Sequence, residues 1–74
     1  MDRFDAMQAF VRVVEAGSFT RAAETLHMSR ASVTQLVQGL EARLRLKLLN
    51  RTTRRLNVTA DGAVYYERIV RVLA

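Results

Sequence analysis

Residues 18–44, SFTRAAETLHMSRASVTQLVQGLEARL, decide how this chain is read. The stretch breaks at His27-Met28-Ser29. Before the break, Ser18 or Thr20 can cap a short helix running to about Leu26, because an N-cap hydroxyl accepts a hydrogen bond from an orphan N–H of the first turn. Ala22 and Ala23 are small enough to let another helix cross closely. After the break, Ser29 caps a longer helix extending to about Leu44. Steps of 100° per residue put Val33, Val37, Leu40 and Leu44 in one narrow stripe, the core face, with Leu36 at its edge. Ala31, Gln35, Gln38 and Ala42 fall opposite, Ser32, Thr34 and Gly39 flank them, and Arg30 sits in the first turn. A merely solvated face would carry Glu and Lys. This outer edge is instead uncharged over most of its length, polar and partly small. The order of short helix, tight turn and longer helix is that of a helix-turn-helix, and short amides and hydroxyls suit close approach to base edges in a major groove.

The flanking sequence supplies the rest of the domain. Phe4, Met7, Phe10, Val11 and Val14 recur at helical spacing and predict a first helix from about Arg3 to Ala16, its core face made by these five residues. Asp2 is suited to its N-cap, Asp5 to its first turn, and Gly17 to the left-handed residue that ends it. Downstream, Leu48-Leu49 and Leu56/Val58 are short apolar pieces around positions 50–55, and predict a small hairpin or wing. Thr59 then caps a last helix with Asp61 in its first turn. That helix carries two apolar lines, one of Tyr66, Ile69 (or Val70) and Leu73, the other of Tyr65, Ile69 and Val72. A helix apolar over so much of its circumference needs two things to pack against, here its own domain and a second copy of the chain; a single wide core face with a frayed end is the alternative.

Charge is distributed unevenly. The 74 residues carry a net charge of +5. Positions 1–28 hold three basic and four acidic side chains, and positions 29–74 hold nine and three. Between positions 42 and 60 stand Arg43, Arg45, Lys47, Arg51, Arg54 and Arg55 with no acid among them, a footprint for a polyanion. A solvated basic face is the alternative for such a run taken alone. The chain has no cysteine, so disulfides and thiolate metal sites are excluded. The single histidine, His27, has no clustered ligand or nucleophile and is read as a surface or phosphate-facing residue. No Ser/His/Asp set, carboxylate pair, metal-ligand spacing or phosphate loop is present, which argues against an enzyme and calls for no cofactor or metal. An aromatic surface for stacking single-stranded RNA is also missing. With no apolar run of membrane length and no signal-peptide order, a cytoplasmic location is expected.

Taken together, Phe10-Val11, Glu15-Ala16-Gly17-Ser18-Phe19-Thr20, Ala22-Ala23-Glu24, Leu26-His27-Met28-Ser29, Val33-Thr34, Leu40-Glu41, Leu48-Leu49-Asn50-Arg51-Thr52-Thr53-Arg54 and Thr59-Ala60-Asp61-Gly62 resemble the N-terminal domain of LysR-type transcriptional regulators over the whole chain. The resemblance implies a mainly α fold: a winged helix-turn-helix, with a three-helix core and a short β-hairpin wing, at positions 1–58, and the start of a linker or dimerisation helix at 59–74. It implies binding to a partly palindromic double-stranded DNA operator as a homodimer, with a tetramer open for the full-length protein. A small-molecule effector would act only through a C-terminal domain lying outside these residues. By position, Arg30, Ser32, Thr34, Gln35 and Gln38 would face the major groove, with Ser29 at the head of the reading helix. Arg51, Thr53, Arg54 and Arg55 would lie at the wing, on phosphate or in the minor groove. Tyr65, Ile69, Val72 and Leu73 would form the dimer contact.

The resemblance has departures. Arg30-Ala31 stand where the family often has Gln-Pro, and Gln35-Leu36 where it often has Arg-Gln, so the base-contact pattern is shifted toward Gln35 and Gln38. Arg45 stands where glycine usually ends the reading helix. Either Arg45 is left-handed, at a cost of about 1 kcal/mol, or the helix ends differently. Gly39 costs a similar amount within the helix; it allows close approach of DNA or another helix, or is a tolerated defect. The reading set against all this is a helical protein-interaction module whose basic face meets an acidic partner.

Overall fold

A computed structural model of the chain describes residues 3–51 and 56–73, with Arg3 and Arg51 described by their backbone alone. Asp2, Thr53, Arg54 and Arg55 therefore lie outside the described residues. In order, the chain forms α1 (Arg3–Ala16), α2 (Phe19–Leu26), α3 (Arg30–Leu44), β1 (Leu49–Arg51), β2 (Leu56–Val58) and α4 (Ala60–Leu73). The helix boundaries follow from capping. Ser18 accepts from the Arg21 N–H at 3.2 Å and Ser29 from the Ser32 N–H at 3.0 Å. Thr59 accepts from the Gly62 N–H at 2.9 Å, so each hydroxyl satisfies one orphan donor.

The helix ends close on left-handed residues. Gly17, at φ 68°, ends α1 without steric cost. His27 and Arg45, both at φ 56°, end α2 and α3. In each case the next residue's N–H reaches back five positions, from Met28 to the Ala23 carbonyl and from Leu46 to the Glu41 carbonyl, the Schellman closure. Arg45 thus takes the left-handed conformation that glycine would take more easily.

The core gathers Ala6, Ala9, Phe10, Val11 and Val13 of α1, Phe19, Ala22 and Ala23 of α2, Val33, Leu36, Val37 and Leu40 of α3, Leu48 and Leu49 before and within the wing, and Ile69 of α4. Helix α1 is the hub, packing against α2, α3 and α4. Phe10 meets Tyr65 with ring centroids 5.7 Å apart, and Tyr66 donates its hydroxyl to Glu15 Oε2 at 2.9 Å. The strands pair antiparallel, with Leu49 opposite Val58, Asn50 opposite Asn57 and Arg51 opposite Leu56.

Two expectations about packing are corrected. Phe4, placed in the core by its spacing, is 56% exposed. Val11, two turns further along nearly the same line, is 9% exposed and part of the core, so the line itself meets the core and only its first turn, at Phe4, stands clear of it. Two of the residues that let α1 lie against its neighbours, Ala6 and Ala9, are alanines, which a search for bulky apolar repeats passes over. On α4, Ile69 is only 4% exposed and belongs to the core of its own chain, so it is not available to a second copy. Tyr65 and Leu73 also pack against that core. The outward apolar positions are Val72, 61% exposed, and Val64, 56% exposed and absent from the expected dimer set.

Candidate nucleic-acid interface

Helix α3 presents two unlike sides. Val33, Leu36, Val37 and Leu40 are buried against α1 and α2. On the outer side Arg30, Ala31, Gln35, Gln38 and Gly39 are exposed, and Thr34 is half-buried. Arg30, Ala31, Thr34, Gln35 and Gln38 line one shallow, open concavity. Four of the residues expected in a major groove thus share one surface, and Ala31 joins them as its apolar member. Ser32 is half-buried beside this surface. Ser29 is engaged twice: its Oγ accepts from the Ser32 N–H and donates to Ser32 Oγ at 2.9 Å, which leaves Ser32 its own O–H to donate. Among the described residues, nothing outside the adjoining α3 backbone comes within 4 Å of a Cβ built on Gly39, so no other described helix approaches there.

The path from α3 into the wing carries Arg43, Arg45 and Lys47 on exposed positions, and β1 brings Arg51 to its end. The remaining expected wing residues, Thr53, Arg54 and Arg55, fall outside the described residues. His27 is exposed at the turn between α2 and α3. Among the described residues, no three His, Cys, Asp or Glu side chains are grouped as a metal would require. No described helix is long and apolar enough to cross a membrane.

Several residues that fix the wing went unassigned from sequence. Glu41 Oε2 accepts from the Leu48 N–H at 2.8 Å and the Leu49 N–H at 3.1 Å. From the other side, the Leu48 carbonyl accepts from the Thr59 N–H at 3.0 Å and the Thr59 hydroxyl at 3.2 Å. Gly62 lies so close that a Cβ there would overlap the Leu48 carbonyl. The signal for Glu41 was its isolation: it is the only acid between Glu24 and Asp61. The sequence marks Thr59 as a cap, but its second role, donating its hydroxyl to the Lys47 and Leu48 carbonyls just ahead of β1, depends on contacts twelve and eleven residues away.

A three-helix core, a two-stranded wing and a polar, exposed outer edge on the third helix define a winged helix-turn-helix regulatory module. The family model for the bacterial regulatory helix-turn-helix protein, lysR family, matches residues 4–63, and the chain belongs to that family. It is 53% identical over 68 residues to a helix-turn-helix transcriptional repressor of Pseudomonas aeruginosa (strain UCBPP-PA14), covering 92% of this chain and 22% of the relative. The chain thus spans under a quarter of that relative's length. Its fold is similar to that of the BenM DNA-binding domain solved with catB site 1 DNA, at TM-score 0.92 and 33% identity, covering 99% of this chain and 81% of the other. The CbnR DNA-binding domain in its DNA complex matches at TM-score 0.91 and 38% identity, covering 99% and 83%. The chain is a LysR-type helix-turn-helix DNA-binding domain, and its relatives are transcriptional regulators rather than enzymes.

Proposed function

We propose that this domain recognises a partly palindromic double-stranded operator as a homodimer, with α3 in the major groove of each half-site and the wing on phosphate or the adjacent minor groove. The observation that carries the reading is the largely exposed outer edge of α3, uncharged beyond Arg30, with Gln35 and Gln38 on one concavity beside Arg30 and Thr34. A Gln amide can donate and accept at once, which matches the N6 and N7 edge of adenine. Arg43, Arg45, Lys47 and the wing arginines Arg51, Arg54 and Arg55 would neutralise phosphates and set the register, with Thr53 beside them. Ser29 and Ser32 would sit at the α3 N-terminus, where backbone N–H groups favour an anion.

The second copy would dock on the outward side of α4. Val64 and Val72, two turns apart and exposed, replace Ile69 as its apolar contacts, with Tyr65 and Leu73 bordering them. Two recognition helices would then meet half-sites about 34 Å apart or further. In this reading positions 1–58 form the reading domain and 59–74 begin the linker helix. The longer chain of the relatives would hold an effector-binding domain, and the protein would work in the cytoplasm, on DNA.

The test is fluorescence anisotropy with duplexes that the chain itself selects from a random pool, titrated at several salt concentrations. Gln38→Ala is expected to lose about 1–3 kcal/mol at one base position while keeping the wild-type salt slope. Equal affinity for selected and scrambled duplexes would sink the claim of sequence specificity.

A further inference from the structure

From the grouping of hydrogen bonds at one residue we infer that Glu41 is a positioning residue for DNA binding: it hangs the wing from the recognition helix, so that wing and reading edge meet the duplex as one rigid unit. The inference rests on the reading of α3 and the wing as the DNA-contacting elements. Glu41 is on α3, one turn after Gln38. Its main-chain carbonyl accepts the N–H groups of Arg45 and Leu46, which end the helix. Its carboxylate accepts those of Leu48 and Leu49, which begin the wing. The turn from recognition helix to first strand is therefore held at both ends by one residue.

Charge supports the same assignment. Positions 25–60 hold seven arginines and lysines and only this acid, in the half of the molecule that a polyanion would approach. A carboxylate facing phosphate there would oppose binding. Glu41 instead is half-buried, with one oxygen engaged by two backbone donors, bonds that are stronger for the charge on the acceptor. Without that acceptor, the N–H of Leu48, whose side chain is fully buried, would lose its partner, and β1 would lose its fixed distance from α3.

The experiment compares Glu41→Ala and Glu41→Gln with Arg51→Ala, alone and combined, on duplexes selected by the wild-type chain. Glu41→Ala leaves the carbonyl bonds in place and removes only the side-chain tether. It is expected to weaken binding about tenfold and to flatten the salt slope by about one phosphate contact, as Arg51→Ala does. The double variant should bind no worse than about the weaker single one, because both remove the same wing contact. Preference among base-substituted duplexes should stay unchanged. Glu41→Gln, a neutral acceptor, should fall between wild type and Ala in affinity and in the amide proton shifts of Leu48 and Leu49. Amide shifts that respond while the salt slope stays at the wild-type value would overturn the proposal, as would multiplicative losses in the double variant. If Glu41→Ala loses its helical circular dichroism, Glu41→Gln decides by the same criteria. Failure of the wild-type chain to select any duplex would instead remove the DNA-binding reading itself, and would be seen before any variant is made.

Discussion

The junction around Leu48 and the outer edge of α3 lie within one small domain, yet they treat polar groups in opposite ways. At the junction everything is engaged. Leu48 is buried, its N–H is taken by Glu41, its carbonyl by Thr59, and Gly62 leaves no space beside it. On the outer edge Arg30, Gln35 and Gln38 are exposed, and none of their side chains has a hydrogen-bond partner among the described residues. Buried polar groups must be satisfied within the fold, whereas exposed ones can wait for a partner. The difference teaches where to look for function: at polar groups held in position by the fold but not used by it.

The two glycines of these regions give the sharpest way to break the comparison. At Gly62 an added Cβ would overlap the Leu48 carbonyl and lie 2.9 Å from Val58 Cγ1. Gly62→Ala must push α4 off the wing, and is expected to destabilise the domain by about 3 kcal/mol, at the upper end of overpacking costs. Urea unfolding followed by circular dichroism measures this; a loss below about 0.5 kcal/mol would show that the junction yields.

Gly39 is the opposite case. It is exposed on the outer edge, and among the described residues nothing outside the adjoining α3 backbone lies within 4 Å of an added Cβ. Gly39→Ala should therefore stabilise α3 by about 0.5–1 kcal/mol through helix propensity alone. The same unfolding experiment reports the sign, and a destabilised variant would mean that the outer edge is more crowded than its geometry indicates. Anisotropy on the same variant then separates the two readings of this glycine. Lost DNA affinity assigns it to close approach of the duplex, and unchanged affinity to a tolerated defect.

What was legible in the sequence follows the same division. Ser29 and Thr59 declared their helix starts, and Ser18 was one of two candidates with Thr20, because a hydroxyl competes for N–H groups only three residues away, a local effect. The two sides of α3 were legible because its stripe and its uncharged edge are set by helical period. Phe4 was misplaced because periodicity finds an apolar line but not how far along it the neighbours reach: Val11, on nearly the same line, is buried. Ile69, which belongs to both apolar lines of α4, was counted toward the second copy because periodicity does not say which body a line faces. Ala6 and Ala9 take the inner face of α1 through small size, and Ile69 faces inward because α4 closes onto α1. The bonds from Glu41 to Leu48 and Leu49 join residues on either side of a helix end, so no period encodes them. Arg45 left two options open, and the bond from the Leu46 N–H to the Glu41 carbonyl decides for the left-handed one.

Between the saturated junction and the idle edge stands an intermediate case, the exposed bond from Tyr66 on α4 to Glu15 on α1. The tyrosine pKa is raised above its ordinary value of 10.0, first by donation of its hydroxyl to the Glu15 carboxylate, then by desolvation, then by the carboxylate's charge. Each of these favours the neutral phenol. The sign follows: with the folded pKa above the unfolded one, the contribution to stability is complete below pH 10 and is lost as pH rises through the folded value. Because the bond lies in solvent the effect is small, so it is best read as a difference. The gap in melting temperature between the wild-type chain and Tyr66→Phe should be constant from neutral pH up to 10 and close above it. Using Phe as the reference cancels the titration of Tyr65 and of the basic side chains, which both proteins share. A gap that stays flat on the alkaline side would mean that the α1–α4 contact rests on the packing of Phe10 and Tyr65, as the buried junction rests on its own packing, and not on this bond.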